Sequence, residues 1–360
     1  MNKADIAKIR LTNQQIAGTK FSQPNELVSW FGAVQAQDYA MAKWAIGLRL
    51  PGTTQQSIED AIDDGSIVRT HVMRPTWHFV SAEDIRWMLD LTAPRIIAAC
   101  SFRKRWLELD DKTLVRSNKL IAKALEGGTH LTRQELMTEL ERSGIKTGIE
   151  RATHLMLQAE LDGIVCNGKR RGKQFTYALL DERVAKTRPL TRDEALAKLA
   201  GRYFESHGPA TRQDFLWWSG LRGSDATAAL ETVKGQMVSE RIDGQIYWMP
   251  NSVIEPSPTK KSVYLLPAFD EFTVSYKDRT ASVAPELLKD VTVGHAIFKP
   301  IIVVDGRVVG IWKRTHTNNS IVVEYTFFAD LKKSERTLLD RVMRNYGAFE
   351  GKPLNLTNTA

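Results

Sequence analysis

The sequence contains only two cysteines, Cys100 and Cys166, among its 360 residues. Two isolated cysteines cannot build a disulfide framework and lack the spacing of zinc ligands. No run of about 18 apolar residues, the length of a membrane span, occurs in the chain. The first ten residues alternate charged and apolar side chains and never form the apolar stretch of a secretory signal. These absences favour a cytoplasmic protein that does not span a membrane.

Two further motifs of cofactor chemistry are missing. None of the seven histidines has a second histidine four residues away with an intervening glutamate, the spacing that marks a zinc hydrolase. Gly163 to Lys169 fits the spacing of a phosphate-binding loop, but Arg170 follows where that loop requires Ser or Thr. We therefore expect no metal ion and no other cofactor.

Positive charge is in moderate excess. The chain has 50 Lys and Arg against 42 Asp and Glu, a formal net charge of +8, with 42% hydrophobic residues. The composition is that of a globular protein, and at this length two to four packed units are expected. The basic balance favours an anionic partner such as DNA.

A short repeat lies in the middle of the chain. Thr132 to Leu136 reads TRQEL, and Thr211 to Phe215 reads TRQDF, each closely following a histidine. In both copies a threonine precedes an acid by three residues, the pattern of a capping box that begins a helix. A repeat of this kind points to two copies of one supersecondary unit.

Each copy predicts the order helix, turn, helix, hairpin. After the first copy, Arg151 to Leu161 is predicted as a helix and Ile164 to Leu180 as a hairpin. After the second, Ala226 to Val238 is predicted as a helix, and Ile242 to Gln245 as a tight hairpin turn. This order is typical of a winged helix, whose second helix can enter the DNA major groove while the hairpin contacts the backbone.

The whole chain is predicted to be of the α+β class, with tandem winged helices followed by a small C-terminal β-barrel or curled sheet. A looser third copy occupies the N-terminal region, and a Pro-Ser-Pro linker at 256–258 precedes the barrel. Asp305-Gly306 predicts a hairpin turn within that barrel, and Leu331 to Tyr346 predicts a final helix. The predicted boundaries are 1–82 for winged helix 1, 83–112 for a helical connector, 113–185 for winged helix 2, 186–252 for winged helix 3, and 253–360 for the barrel and its helix.

The first predicted wing carries four cations and no acid. They are Lys169, Arg170, Arg171 and Lys173. If each neutralises one phosphate, counterion release predicts a contribution of about −3.6 to the slope of log affinity against log salt. The alternative is a solvated basic hairpin tip without a partner.

Asp270 and Glu271 follow a predicted strand, and a carboxylate pair there could serve as acid and base. The structural alternative is a turn cap, or pairing with Lys277 or Arg279.

Gln35 and Gln37 lie at the junction of two predicted helices, two residues apart in an extended turn. The alternative is that these amides hydrogen-bond across the junction and serve only structure.

These glutamines belong to a wider resemblance. The Gln35-Ala36-Gln37-Asp38 motif, with Arg74 to His78, resembles the N-terminal signature of the bacterial winged-helix DNA glycosylases of the AlkZ type, which excise alkylated purines and unhook interstrand crosslinks. Further similar segments are His207 to Thr211 with Asp214, Trp218 to Gly220, Leu265 to Asp270, and Val304 to Gly310 with Trp312. The resemblance spans nearly the whole chain, although Pro75 and Trp77 depart from the smaller or aliphatic residues expected there.

The resemblance implies three winged helices and a β-barrel around double-stranded DNA, with Gln35 and Gln37 as the catalytic motif in the glutamine form associated with crosslink unhooking. Asp38 is a lesser catalytic candidate, because it could supply negative charge. We assign Arg74 and His78, together with the four wing cations, to DNA binding.

A non-catalytic winged-helix regulator is the alternative to a DNA glycosylase. A regulator would usually dimerise and carry a sensing domain, yet the sequence shows neither a coiled-coil heptad nor a ligand motif. We therefore favour the enzyme, and expect a monomer.

Overall fold

The structure is a computed structural model that describes residues 1–252, 261–294 and 297–358. The predicted Pro-Ser-Pro linker lies outside the described residues. The chain forms two compact units. Unit 1 combines Met1–Glu59 with Leu196–Ala360, and unit 2 is the continuous segment Asp60–Ala195. The finer division into five modules stays a prediction.

Helices occur in both units. In the described part of the chain they are α1 Lys3–Asn13, α2 Pro24–Phe31, α3 Tyr39–Gly47, α4 Gln55–Asp63, α5 Ile85–Ala99, α6 Ser101–Trp106, α7 Asp111–Leu125, α8 Arg133–Arg142, α9 Ile149–Leu161, α10 Leu180–Arg183, α11 Arg192–His207, α12 Arg212–Ser219, α13 Gly223–Val233, α14 Glu271–Val274, α15 Leu288–Val291 and α16 Lys333–Glu350.

Strands form short hairpins and one larger sheet. They are β1 Val34–Gln35, β2 Ile67–His71, β3 Trp77–Ser81, β4 Leu131–Thr132, β5 Val165–Asn167, β6 Thr176–Leu179, β7 Met237–Ile242, β8 Gln245–Pro250, β9 Val263–Leu266, β10 Thr292–Val293, β11 Ile297–Phe298, β12 Ile301–Val304, β13 Arg307–His316, β14 Ile321–Phe327 and β15 Leu354–Asn358. The molecule is thus a mixed α and β fold.

The first repeat has the predicted element order in unit 2. Helices α7, α8 and α9 are followed by the β5–β6 hairpin, and β4 adds a third strand in the order β4-β6-β5. The predicted capping box is confirmed, because Thr132 Oγ1 accepts the Glu135 N–H at 3.2 Å and the Glu135 carboxylate accepts the Thr132 N–H at 2.7 Å. Apolar residues of these elements, including Leu136 and Leu155, form one core cluster.

The second repeat lies in unit 1 and has the same order, α11, α12, α13 and the β7–β8 hairpin. Its capping box, Thr211 with Asp214, is confirmed as well. The prediction that the next helix runs to Val238 was wrong: α13 ends at Val233, and Met237 begins β7. Gly235 lies between them in a turn of 3₁₀ helix, where its backbone freedom disfavours continuation of the α-helix.

Two hairpin turns follow from their Asp-Gly pairs. Asp243 and Gly244 have φ of 48° and 78°, and Asp305 and Gly306 have φ of 48° and 85°. Positive φ at both central residues is what a type I′ turn requires. At Gly306 a Cβ atom would also lie 2.9 Å from that of Ala7, so the turn packs closely on α1.

The C-terminal strands of unit 1 form a five-stranded sheet in the order β15-β14-β13-β12-β9. All neighbouring pairs are antiparallel except β14 with β15. Within the described residues β15 and β9 are the two edges, so closure into a barrel stays a prediction. Helix α16 packs against β9.

Candidate active site and DNA-binding surface

The glutamine segment connects α2 to α3 in unit 1. Helix α2 ends at Phe31, and Gly32 adopts a φ of 81°, which redirects the chain into the short strand β1. Gln35 is 8% exposed, whereas Gln37 is exposed. The two amides therefore combine one buried residue and one that reaches the protein surface.

Asp38 begins the helix that follows. Its Oδ1 atom accepts the N–H of Met41 at 3.1 Å, which makes Asp38 the N-cap of α3. This contact gives the Asp38 carboxylate a structural role directly beside the glutamines.

A buried carboxylate binds the backbone of the glutamine segment. Glu271 is 2% exposed, and its Oε1 atom accepts the Gln35 N–H at 2.7 Å. Its Oε2 atom accepts the indole N–H of Trp218 at 3.2 Å and the hydroxyl of Ser275. Glu271, which the sequence offered as a possible acid or base, is thus a hydrogen-bond acceptor that binds the backbone of β1 at Gln35.

His207 completes the surroundings of Glu271. Its Nε2 atom lies 3.5 Å from Glu271 Oε2, and its Nδ1 atom lies 2.7 Å from the Ser206 hydroxyl. Burial lowers the pKa of His207, against the opposing influence of the carboxylate. Burial alone would raise the pKa of Glu271, but His207, Ser275 and the Gln35 N–H together lower it to about 2. Glu271 is therefore ionised at neutral pH.

The neighbouring Asp270 pairs with Arg49, which lies just after the end of α3. Both Arg49 terminal nitrogens lie 2.8 Å from Asp270 carboxylate oxygens, and both side chains are buried. Asp270 Oδ1 also accepts the Phe272 N–H and so caps α14. The capping alternative is confirmed, and Arg49 is an ion-pair partner of Asp270. Charge-assisted pairs of this bidentate form fix geometry strongly.

The wing cations lie at the end of the β5–β6 hairpin of unit 2, here called the basic hairpin (residues 165–179). Lys169, Arg171 and Lys173 are exposed, and Arg170 is half-buried. The side chain of Arg171 forms an ion pair with Glu135, at 2.7 Å, and donates to the carbonyl of His130. Arg171 therefore already has an anionic partner within the protein.

His130 fixes the base of the basic hairpin. Its Nδ1 atom accepts the Lys169 N–H at 2.8 Å. Burial, followed by the charges of Arg183 and Lys169, lowers the pKa of His130. A lowered pKa favours the neutral imidazole, and only a neutral imidazole can accept the Lys169 N–H at Nδ1.

Arg74 and His78 lie on the β2–β3 hairpin of unit 2. Arg74 is half-buried, beside Met73, whose φ is 60°. His78 is 1% exposed, and its Nδ1 atom is 2.9 Å from the Thr76 carbonyl. In this conformation the imidazole serves the interior of the hairpin rather than its surface.

Sequence reasoning missed Arg69, which joins the two hairpins of unit 2. Its guanidinium lies 4.1 Å from the ring centre of Trp77 and 4.9 Å from that of Phe175, and the backbone N–H of Arg69 donates to Asn167 Oδ1 at 2.7 Å. Cation–π contacts on two rings hold the hairpins together. Trp77 stood out in the sequence as an unexpected residue before His78, but the sequence had not indicated that Arg69 contacts its ring.

Comparison with known proteins identifies the family. A family model described as "DNA glycosylase AlkZ-like" matches residues 28–349. The chain belongs to the AlkZ-like DNA glycosylase family. It is 25% identical over 313 residues to the interstrand DNA cross-link repair glycosylase of Streptomyces sahachiroi, covering 81% of this chain and 83% of the relative. The solved structure of Streptomyces sahachiroi DNA glycosylase AlkZ is similar with a TM-score of 0.78 at 21% identity, covering 99% of this chain and 100% of that one.

This AlkZ-like glycosylase is therefore a hydrolase of the N-glycosidic bond, and DNA is its substrate. The regulator alternative is excluded by the family. Among residues 1–252, 261–294 and 297–358, no cluster of three or more His, Cys, Asp or Glu side chains is placed to bind a metal ion. Of the helices described, none is long and apolar enough to cross a membrane.

Proposed function

We propose that this glycosylase excises alkylated purines from duplex DNA and unhooks interstrand crosslinks, with Gln35 and Gln37 as its catalytic pair. The observation that carries the proposal is the fixed position of this pair: a buried carboxylate binds the Gln35 backbone, and Gln37 reaches the surface two residues later. The crosslink-repair name of the relative from Streptomyces sahachiroi supports the choice of lesion.

Amide side chains suffice for this chemistry. An N7-alkylated guanine already carries a positive charge, so its glycosidic bond can break without a general acid. The remaining tasks are to hold a water molecule near the sugar C1′ atom and to stabilise the oxocarbenium-like transition state. Oriented amide oxygens of Gln35 and Gln37 perform both through positioning and electrostatics.

Asp38 remains the lesser catalytic candidate. It is exposed beside Gln37 and could supply negative charge to the transition state. Its hydrogen bond to the Met41 N–H, however, already accounts for an acid at this position. We therefore assign the water to the amides and helix capping to Asp38.

The tandem-module architecture forms part of the same proposal. We assign winged helices to 1–82, 113–185 and 186–252, with a connector at 83–112 and a barrel at 253–360. The repeated order of three helices and a hairpin supports this assignment. Within it, Lys169, Arg170 and Lys173 bind phosphates. Arg74 contributes from the β2–β3 hairpin, while the buried His78 supports that hairpin from inside.

The test is release of the damaged base. Purified protein is incubated with duplexes that contain N7-methylguanine or a nitrogen-mustard crosslink, and abasic sites are then counted. The wild type is expected to produce abasic sites, and a Gln35→Ala, Gln37→Ala variant is expected to produce none while still binding DNA. Gln236→Ala, at an exposed glutamine elsewhere in unit 1, is the matched control.

Two results would contradict parts of the proposal. Full activity in the double variant would remove the glutamines from the mechanism. Excision of N7-methylguanine with an intact crosslink would restrict the substrate to single-base lesions.

A further inference from the structure

Four separated segments of unit 1 meet at the Glu271 carboxylate. The Gln35 N–H and the Trp218 indole N–H donate to it from β1 and α12. Ser275, directly after α14, donates its hydroxyl, and His207 at the end of α11 lies 3.5 Å away. Gln35, His207 and Trp218 each belong to a motif that the sequence analysis singled out, so these motifs share one physical centre.

The Glu271 side chain cannot easily move. Asp270 immediately before it is paired with Arg49, and the N–H of Phe272 immediately after it is bound by Asp270. Both carboxylates are buried, where charged groups must keep their partners because water cannot replace them. Glu271 therefore offers a fixed point from which the β1 backbone can be oriented.

The two carboxylate oxygens have different partners. Oε1 accepts only the Gln35 N–H among the described hydrogen bonds, whereas Oε2 accepts from Trp218 and Ser275. A glutamine in place of Glu271 has one acceptor and one NH₂ donor. If the amide oxygen of this glutamine accepts the Trp218 indole N–H, its NH₂ group faces the backbone N–H of Gln35. Two donors then face each other, and the hydrogen bond to Gln35 is lost.

We propose that Glu271 is the positioning residue for the catalytic glutamines, through its hydrogen bond to the Gln35 backbone. This bond fixes the peptide plane between Val34 and Gln35. The plane sets the direction in which the Gln35 side chain leaves the backbone and the course of the chain towards Gln37. Since the transition state needs the amide oxygens at defined distances from C1′, a loose strand loses rate without losing DNA affinity.

This role rests on the proposed function of the glutamines, so the experiment has one part that needs no activity. Hydrogen exchange at the Gln35 amide is measured in the wild type and in Glu271→Gln. Exchange at this amide is expected to be at least roughly tenfold faster in the variant, because its acceptor is gone. Unchanged exchange at Gln35 overturns the proposal.

Glu335→Gln is the matched control. Glu335 is a buried carboxylate of unit 1 that accepts a backbone N–H, that of Lys332, at 2.8 Å. The same substitution there is expected to alter exchange near Lys332 and leave the Gln35 amide unchanged. This control distinguishes the general effect of removing a buried carboxylate from the specific effect of removing the Glu271 bond to Gln35.

The second part measures single-turnover release of N7-methylguanine and DNA affinity separately. Glu271→Gln is expected to lower the rate roughly 10- to 100-fold with Kd within about twofold. In a Gln35→Ala background, the same substitution is expected to cause a smaller loss than in the wild type, because only the position of Gln37 is still affected. Independent, additive losses overturn the positioning role. If the wild type releases no base, the proposed function is overturned instead. The hydrogen-exchange result then still tests whether Glu271 holds the Gln35 backbone.

Discussion

Arg171 of the basic hairpin and Glu135 of α8 form an ion pair, with 2.7 Å between the guanidinium and the carboxylate. Glu135 also accepts the N–H and the hydroxyl of Thr132. These contacts, led by the Thr132 N–H, lower the pKa of Glu135 to about 2. The carboxylate therefore stays charged and neutralises Arg171 within the protein.

The salt dependence of DNA binding should reveal this difference among the cations. With Arg171 neutralised within the protein, Arg171 no longer contributes its share of about −0.9 to the slope of log affinity against log salt. Lys173→Gln should make the slope shallower by about 0.9, whereas Arg171→Gln should change it little. Glu135→Gln should make it steeper by about 0.9, since glutamine still caps α8 but releases Arg171. Titrations of a labelled duplex from low to high KCl measure all three, and equal effects of the Lys173 and Arg171 substitutions would refute the assignment.

Two substitutions distinguish the helix-capping role of Asp38 from a role of its negative charge in catalysis. Asp38→Asn keeps an N-cap acceptor without the charge, so we expect base release to stay within about threefold of wild type. Asp38→Ala removes the cap and should lower the free energy of unfolding by about 1 kcal/mol. Single-turnover rates and urea unfolding distinguish the two roles. A large rate loss in Asp38→Asn at normal stability would make the carboxylate catalytic.

Breaking the pair between Arg49 and Asp270 should destabilise unit 1. Asp270→Asn leaves the buried guanidinium without its counter-charge, at a cost of roughly 3–5 kcal/mol. The double variant Arg49→Met, Asp270→Asn should lose less than the sum of the single losses, because no isolated charge remains buried. Urea unfolding followed by circular dichroism gives these values. Additive losses would show that the pair is not coupled.

Acid should weaken the protein through Glu271. The pKa of this group is about 2 in the folded state, against 4.5 for an ordinary glutamate. Because the folded pKa is the lower one, the unfolded chain takes up the proton first. The stabilisation is fully present above about pH 4.5 and is lost as the pH falls towards 2. The Tm difference between wild type and Glu271→Gln should therefore shrink between pH 6 and pH 3 in calorimetric scans; a constant difference would count against an ionised Glu271.

Local patterns could be predicted from the sequence, and partners distant along the chain could not. The capping boxes at Thr132 and Thr211 and the turn at Asp305 depend on residues within three positions, so their residue types determine them. The end of α13 was missed because the apolar pattern continues past Gly235 into β7.

The candidate site shows the same division. The glutamine pair could be found from its motif, but its anchor could not, because Glu271 lies 236 residues further along the chain. The Arg49 partner of Asp270 is 221 residues away, whereas the predicted partners were nearby cations. Which of many carboxylates meets which donor is decided by packing, and single-sequence patterns carry no information about it.

Unit 1 is assembled from both ends of the chain, whereas unit 2 is one continuous segment. During synthesis Gln35 and Gln37 are therefore translated long before Glu271. Residues 60–195 can fold in the meantime, since domains generally fold as units from the N-terminus. The hydrogen bond that orders Gln35 can form only once the chain has passed Glu271. A nascent or truncated chain thus acquires its basic hairpin before its proposed catalytic strand, and under the proposed function such a fragment would bind DNA without releasing a base.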